Sequence, residues 1–259
     1  MAEKLKYFVN GQFRESKTDK WYDLHNPSTG EITGQAPCCT NDEVLEAIAA
    51  AKAAYPGWSA TPAIKRAQIL YRVRELILER MDELTMSVAK ENGKVWAESE
   101  GDVLKAKEGT ELATQAPSLM MGESIMDASR GDDTVKYREP LGVFAGIVPV
   151  NFPAMIPFGW MAPTCIAAGN TLVLKAASLT PKTAMLFAQL YKDAGVPDGV
   201  INVVTCSRNE INTILEHPDV KGITFVGSTP VGLKIYEKAA ANGKRCQALC
   251  QAKNHALVM

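Results

Sequence analysis

A chain of 259 residues with 28 Lys and Arg against 29 Asp and Glu has no global field to draw it to nucleic acid or an anionic membrane. Its 46% hydrophobic and 22% charged residues exclude a disordered chain and supply a generous core, for one large domain or two small ones. Six scattered Cys fit a reducing compartment, and no apolar stretch follows the two lysines of residues 1–8, so no secretory signal is expected and a cytoplasmic protein is.

Tyr7 to Phe13 reads as a hairpin turning at Asn10-Gly11, and Asn26 to Gly30 as a second turn leading into a strand near Glu31 to Ala36. From Asn41 the apolar period becomes helical, with Val44, Leu45, Ile48, Ala49 and Ala51 on one face. A second helix is expected over Ala63 to Lys90, ended by Asn92-Gly93, and a third from about Ala97 to Ala116. After Met121-Gly122 the pattern turns polar and strand-like, predicting a strand pair around Arg130 to Asp133 that stands outside the core as an arm.

Between Glu139 and Lys175 there is no charged residue, which superficially resembles a membrane span. Pro140, Pro149, Pro153, Pro157 and Pro163, with Gly142, Gly146, Gly159 and Gly169, would break a spanning helix repeatedly. The stretch reads instead as strand, turn, helix and strand inside a domain. Val143 to Pro149 is an apolar strand, followed by a helical segment to Ala168 and a strand at Thr171 to Leu174. A helix opens at Thr180-Pro181 and ends at Ala194-Gly195; Ile201 to Val204 is a strand and Asn209 to Glu216 a helix. Gly222 to Val226 is a strand, Thr229 to Ala241 a helix, and Ala256 to Met259 a last strand-like run. Such alternation predicts a parallel sheet covered by helices on both faces, with ligands held beyond the carboxyl ends of its strands.

Three strand-ending turns are therefore candidate sites. In Val148-Pro149-Val150-Asn151-Phe152-Pro153, Asn151 is a polar residue at a strand mouth. Its amide can donate to a developing oxyanion, or it can simply stabilise a turn before proline. In Leu172 to Ser178, Lys175 ends an apolar strand and suits a nucleotide ribose or phosphate, although a surface lysine at a strand exit reads the same way. In Phe225-Val226-Gly227-Ser228-Thr229, a strand enters a helix beside a glycine that allows close backbone approach to an anion. The G-x-G-x-x-G dinucleotide fingerprint is absent, and a plain strand-to-helix turn explains this segment equally well. Cys246, Cys250 and His255 fall short of a closed tetrahedral metal set, and no Cys–His pair is evident from spacing.

Together these turns resemble the aldehyde dehydrogenase superfamily. Val148 to Pro153, Leu174-Lys175 with Thr180-Pro181, Phe225 to Thr229, and Ala252-Lys253-Asn254-His255 occur in that family's order and spacing, and the resemblance covers essentially the whole chain. The last segment, with Ser118 to Gly122 and Gly243-Lys244-Arg245, is similar to the methylmalonate-semialdehyde dehydrogenase branch, which is CoA-acylating.

The resemblance implies a Rossmann-like α/β coenzyme domain over residues 1–121 and 141–259, an oligomerisation-type arm over 122–140, and a homo-oligomer. It implies NAD as coenzyme, with NADP open, CoA as co-substrate and a small semialdehyde as substrate. Asn151 would hold the oxyanion of the thiohemiacetal, and Lys175 would bind the adenosine ribose. Val148, Pro149, Val150 and Leu249 would border the coenzyme, with Gly227 and Ser228 by its phosphates and nicotinamide.

The sequence departs from the family pattern at informative places. Leu249 stands where hydrolytic members carry the glutamate that activates water, and leucine cannot act as a base. Ser178 replaces a glutamate that commonly holds the ribose hydroxyls, and Gln251 replaces a glycine. No cysteine of the sequence fits the family's nucleophile motif, so these 259 residues alone are expected not to turn over. The alternative is a noncatalytic nucleotide-binding or structural chain.

Overall fold

The computed structural model describes residues 3–252 and 254–259. Asn10 and Gly11 both take positive φ, which closes the two-residue turn between β1 (Tyr7–Val9) and β2 (Gln12–Arg14). β3 (Trp21–His25) and β4 (Ile32–Pro37) form a second antiparallel pair, of which the sequence signalled only the later strand. A capping box of Thr40 with Glu43 opens α1 (Asn41–Ala60).

The helix expected over Ala63 to Lys90 is two, α2 (Ala63–Glu79) and α3 (Met81–Asn92). Arg80 between them leaves helical dihedrals (φ −110°, ψ 21°), and its guanidinium reaches Glu83 at 2.7 Å and Asp193 at 3.5 Å. A one-residue offset leaves the apolar spacing intact, so periodicity does not reveal it. Gly93, at φ 73°, gives α3 its left-handed cap. α4 (Trp96–Ala113) and the short α5 (Ala116–Leu119) follow. β5 (Glu123–Ser129) and β6 (Asp132–Lys136) pair antiparallel about Arg130-Gly131, and every residue of both is exposed, as an arm outside the core requires.

The second half alternates as expected: β7 (Val143–Ile147), a π-helical segment (Ile156–Met161), α6 (Ala162–Ala167), β8 (Thr171–Lys175) and α7 (Lys182–Asp193). β9 (Ile201–Val204), α8 (Arg208–Glu216), β10 (Val220–Val226), α9 (Thr229–Ala241) and β11 (Arg245–Leu249) complete it. The seven-stranded sheet runs β11-β10-β7-β8-β9-β1-β2, parallel from β11 to β9, with the β1–β2 hairpin added antiparallel. The terminal strand expected at Ala256 to Met259 is not formed: these residues are exposed, and β11 takes the edge position instead. Lys253, in the motif stretch between them, lies outside the described residues.

One face of the sheet is covered by α2, α3, α4, α6 and α7, whose core includes Leu70, Val88, Val103, Phe158, Phe187 and Tyr191. The other is covered by α1, α8 and α9 through Val44, Ile48, Ala51, Ile214 and Ile235. Burying both faces demands the near-continuous apolar runs seen in β7 to β9. α4 meets the π-helical segment backbone to backbone: a Cβ at Gly109 would lie 2.1 Å from the Gly159 carbonyl oxygen. Among the described residues no helix is long and apolar enough to cross a membrane.

A buried carboxyl ties the helical layer together. Glu91 of α3 accepts from the backbone amides of Lys182 (2.8 Å) and Thr183 (3.1 Å), satisfying donors at the start of α7. Burial outweighs these bonds and pushes its pKa from 4.5 up to about 7. A folded value raised above the unfolded one means that the folded state binds the extra proton. The stabilisation from this group is thus complete below about pH 4.5 and lost as pH rises through about 7. Urea midpoints of the protein should therefore fall between pH 5 and 8 relative to those of Glu91→Gln, and parallel curves would refute the assignment.

Candidate functional site

The chain builds β7, moves outward to β8 and β9, then crosses to the other side of β7 to build β10. The β7–β10 boundary is thus the switch point, where the connections leave in opposite directions and open a crevice beyond the carboxyl ends. The three candidate turns all lie at this rim. Val148 to Asn151 follows β7, Lys175 ends β8, and Gly227-Ser228 follows β10.

A groove of about 800 Å³ opens beside the rim, between α8 and α9. Lys175 and Ile147 form part of its floor, Ile211, Leu215, Val231 and Ile235 give apolar walls, and Arg208, Lys234 and Lys238 bring positive charge. Burial pulls the Lys175 ammonium below its ordinary range, and its hydrogen bond is to the Ser178 hydroxyl at 3.5 Å. Gly227 and Ser228 immediately precede the lining residues Pro230 and Val231 across Thr229. The Gly227 amide donates to the Leu249 carbonyl at 3.1 Å, and a Cβ at Gly227 would lie 2.5 Å from the Phe225 ring. The Ser228 hydroxyl makes no capping bond to α9.

Leu249 belongs to a different cavity. It lines a space of about 420 Å³ with Val226, Trp160, Met161, Lys105 and Leu112, on the side of the sheet occupied by α4 and the π-helical segment. Asn151 lines neither cavity; it is exposed at the mouth of β7. Among the described residues its side chain makes no hydrogen bond, so it does not hold its own turn.

Other residues hold that turn, and they were not singled out from sequence. The Val150 carbonyl accepts from the Asn92 side-chain Nδ2 at 2.7 Å and from the Thr180 hydroxyl at 3.3 Å. Asp102, wholly buried in α4, accepts from the Met155 amide at 2.7 Å and pairs with Lys94 at 3.1 Å. The same Lys94 ammonium sits 3.9 Å from the centre of the Phe152 ring. Arg208, Lys234 and the groove's apolar walls were also missed, because they come from helix faces and not from strand exits. The signal available was position: each helix opens directly after a strand.

Burial pushes the thiols of Cys39, Cys165 and Cys206 up to about 12, so none of the three is a thiolate nucleophile at neutral pH.

An open parallel sheet with a groove at its switch point defines the class of α/β proteins that take ligands at their strand ends. The aldehyde dehydrogenase family model matches residues 13–259, and the chain belongs to that family. It is 47% identical over 258 residues to malonate-semialdehyde dehydrogenase 2 of Geobacillus kaustophilus (strain HTA426), covering 100% of this chain and 53% of that protein. It is 44% identical over 255 residues to the mitochondrial methylmalonate-semialdehyde/malonate-semialdehyde dehydrogenase (acylating) of Homo sapiens, covering 98% of this chain and 48% of that one. Among solved structures, a Sinorhizobium meliloti 1021 protein assigned to methylmalonate-semialdehyde dehydrogenase, complexed with NAD, superposes with a TM-score of 0.95 at 36% identity. That match covers 98% of this chain and 52% of the other. The chain spans about half the length of the curated relatives it matches.

Proposed function

We propose that these residues form the coenzyme-binding part of a CoA-acylating dehydrogenase that oxidises a short malonate-type semialdehyde with a nicotinamide coenzyme. The observation that carries the reading is the groove beside Lys175, at the switch point of a sheet in a chain of this family. The residues present fit such a coenzyme: apolar walls from two helices can flank a planar base, and the Lys175 ammonium has donors to spare for a ribose. When bound, the nicotinamide supplies the hydride acceptor.

Lys175 donates to the ribose, with Ser178 beside it. Val148, Pro149 and Val150 border the coenzyme, and Gly227 and Ser228 lie by its phosphates and nicotinamide, where the Ser228 hydroxyl makes no capping bond to α9. Asn151 donates its side-chain amide to the oxyanion formed from the aldehyde, and among the described residues no partner occupies that amide. Leu249 keeps a base away from the acyl group, which favours release to CoA over release to water. Residues 1–121 and 141–259 make the coenzyme domain, and 122–140 an arm for homo-oligomer contacts. Exposed Ile125, Met126, Val135 and Tyr137 on and beside that hairpin support the second assignment. Six free cysteines support a reducing compartment, the cytoplasm in our reading.

Calorimetric titration with NAD tests the site, and Lys175→Ala should weaken binding by about tenfold or more through loss of charged hydrogen bonds. The 259-residue polypeptide should bind without oxidising malonate semialdehyde. Unchanged affinity in Lys175→Ala would refute the ribose assignment, and CoA-dependent NADH formation by this polypeptide would show that a nucleophile had been overlooked.

A further inference from the structure

Three of the six cysteines gather at one place, and none of them has a role in the proposed reaction. Cys38 and Cys39 follow β4, Cys206 follows β9, and all three are free and buried. Two hydrogen bonds lay these segments side by side. The Thr205 hydroxyl donates to the Pro37 carbonyl at 2.5 Å, and the Cys39 amide donates to the Thr205 carbonyl at 2.7 Å. Extended chains joined in this way run about 4.7–4.9 Å apart, within the roughly 4.4–6.8 Å between Cα atoms that a disulfide spans. Among the described residues no group of three Cys, His, Asp or Glu could hold a metal ion, so thiol chemistry is what the cluster offers.

The three thiols are not equivalent. Cys38 lines a cavity of about 350 Å³ with Tyr22, Thr40 and Ser207, roomy enough for a small peroxide. The Tyr22 hydroxyl donates to its Sγ at 3.4 Å and fixes the thiol in that wall. Burial holds the Cys39 and Cys206 thiols up at about 12, so neither begins the chemistry. Cys206 borders the groove on the other side, beside Lys175. Burial lowers the Lys175 ammonium, and Cys206 and Cys38 both act against that shift, which puts these two sulfurs around one cation. Cys39 is engaged instead with the backbone and hydroxyl of Thr205. A bridge from Cys38 to its neighbour Cys39 would also strain the peptide that joins them. A thiol open to a cavity, with a second thiol beside it, is the arrangement in which oxidation ends in a disulfide.

We infer that Cys38 and Cys206 form a covalent modification site, joined reversibly as a disulfide on exposure to a hydroperoxide. With hydrogen peroxide, the Cys38 sulfur attacks one oxygen, the O–O bond breaks, and Cys38 becomes a sulfenic acid with release of water. The Cys206 sulfur then displaces the sulfenic hydroxyl, which leaves as a second water with the Cys206 proton. The two thiols lose two electrons and two protons, and the peroxide is reduced to two waters. A dithiol returns the pair to its starting state.

The bridge acts on the groove through α8. Cys206 precedes Ser207, whose amide and hydroxyl donate to Glu210 at 3.0 and 2.6 Å and so begin the helix that walls the groove with Ile211 and Leu215. Drawing Cys206 towards Cys38 shifts that start and the groove floor beside Lys175. This effect rests on the coenzyme reading of the groove; the bridge itself does not.

Hydrogen peroxide added to the reduced protein, followed by digestion without reductant and mass spectrometry, should yield peptides linked through Cys38 and Cys206. Cys38→Ser and Cys206→Ser should each abolish the link, and Cys39→Ser should leave it. Oxidation should also weaken NAD binding, read by calorimetry, by about fivefold or more, the lower range of coupling between linked sites. Dithiothreitol should restore the affinity, and Cys38→Ser should make it indifferent to peroxide. Absence of the Cys38–Cys206 link, or a link through Cys39 in its place, would overturn the inference. A link that leaves affinity unchanged would overturn its effect on the groove. Reduced protein that binds no NAD would overturn the coenzyme reading, while the mapped link still decides the thiol site.

Discussion

With CoA withheld, this protein extended to the full length of its relatives should form one equivalent of NADH per active site and then nearly stop. Releasing an acyl group from an enzyme thioester needs either an activated water or an incoming thiol. CoA brings its own nucleophile. Water is a poor nucleophile at neutral pH, and positioned general-base help is typically worth about 10²–10⁴-fold. In our reading the position of that base is taken by Leu249, at the end of β11, whose side chain lines a cavity with Val226, Trp160 and Leu112. Rapid mixing with malonate semialdehyde should show the burst, and later addition of CoA should restart turnover. Leu249→Glu should raise the rate without CoA if its carboxylate reaches the thioester. Steady turnover without CoA, at a rate comparable to that with it, would mean that another group activates water, and the acylating assignment would fall.

Replacing Asp102 by alanine should cost about 3–5 kcal/mol, the usual penalty for removing one member of a buried ion pair. Its carboxylate is fully buried, and Lys94 opposite is only 16% exposed, so the abandoned ammonium could not recover its hydration. The Met155 amide would lose its acceptor as well. Asp102→Asn retains an acceptor for that amide but not the charge, and should fall between the two. Urea denaturation measures both; a loss below about 1 kcal/mol for Asp102→Ala would show that the pair is solvated or replaceable. The turn bearing Asn151 hangs from this pair through Met155 and Phe152. Its loosening should appear separately, as weaker coenzyme binding under conditions where the variant is fully folded.

Much of this architecture was legible because local chemistry and global fold agree. Asn10-Gly11 demands a tight hairpin, the apolar runs of β7 to β9 demand burial on both faces, and Thr229 to Ala241 is the helix the pattern predicts. What was not legible depends on partners distant in sequence. β11 reads Arg-Cys-Gln-Ala-Leu, too polar to announce itself, and becomes a strand because β10 offers a parallel edge. Ala256 to Met259 is more apolar and yet pairs with nothing among the described residues, because an apolar run is not a strand without a neighbour. The candidate site divided in the same way. Strand-exit residues such as Lys175 and Asn151 were found because topology fixes where exits lie. Arg208 and Lys234 were not, because only packing shows which helix faces look inward. Asp102 was hidden among the charges of α4, and its burial could not be read from its own helix.

β1 is made long before the edge it joins. Phe8 of β1 pairs with Val203 of β9, and the Asn10 amide donates to the Asn202 side chain at 3.0 Å. During synthesis the N-terminal hairpin therefore leaves the ribosome roughly 195 residues before the edge it completes. At about 5–20 residues per second this leaves a delay on the order of 10–40 s. Through that interval two strand edges with apolar side chains, Tyr7, Phe8 and Val9, are available to other chains. Closure then joins β1 to β9 in a late contact between residues far apart in the sequence, a topology that folds slowly. A nascent chain of this protein is thus most exposed to chaperones and to misassociation just before β9 appears, and deletion of residues 1–14 would pass that vulnerability to the finished molecule as a bare edge on β9.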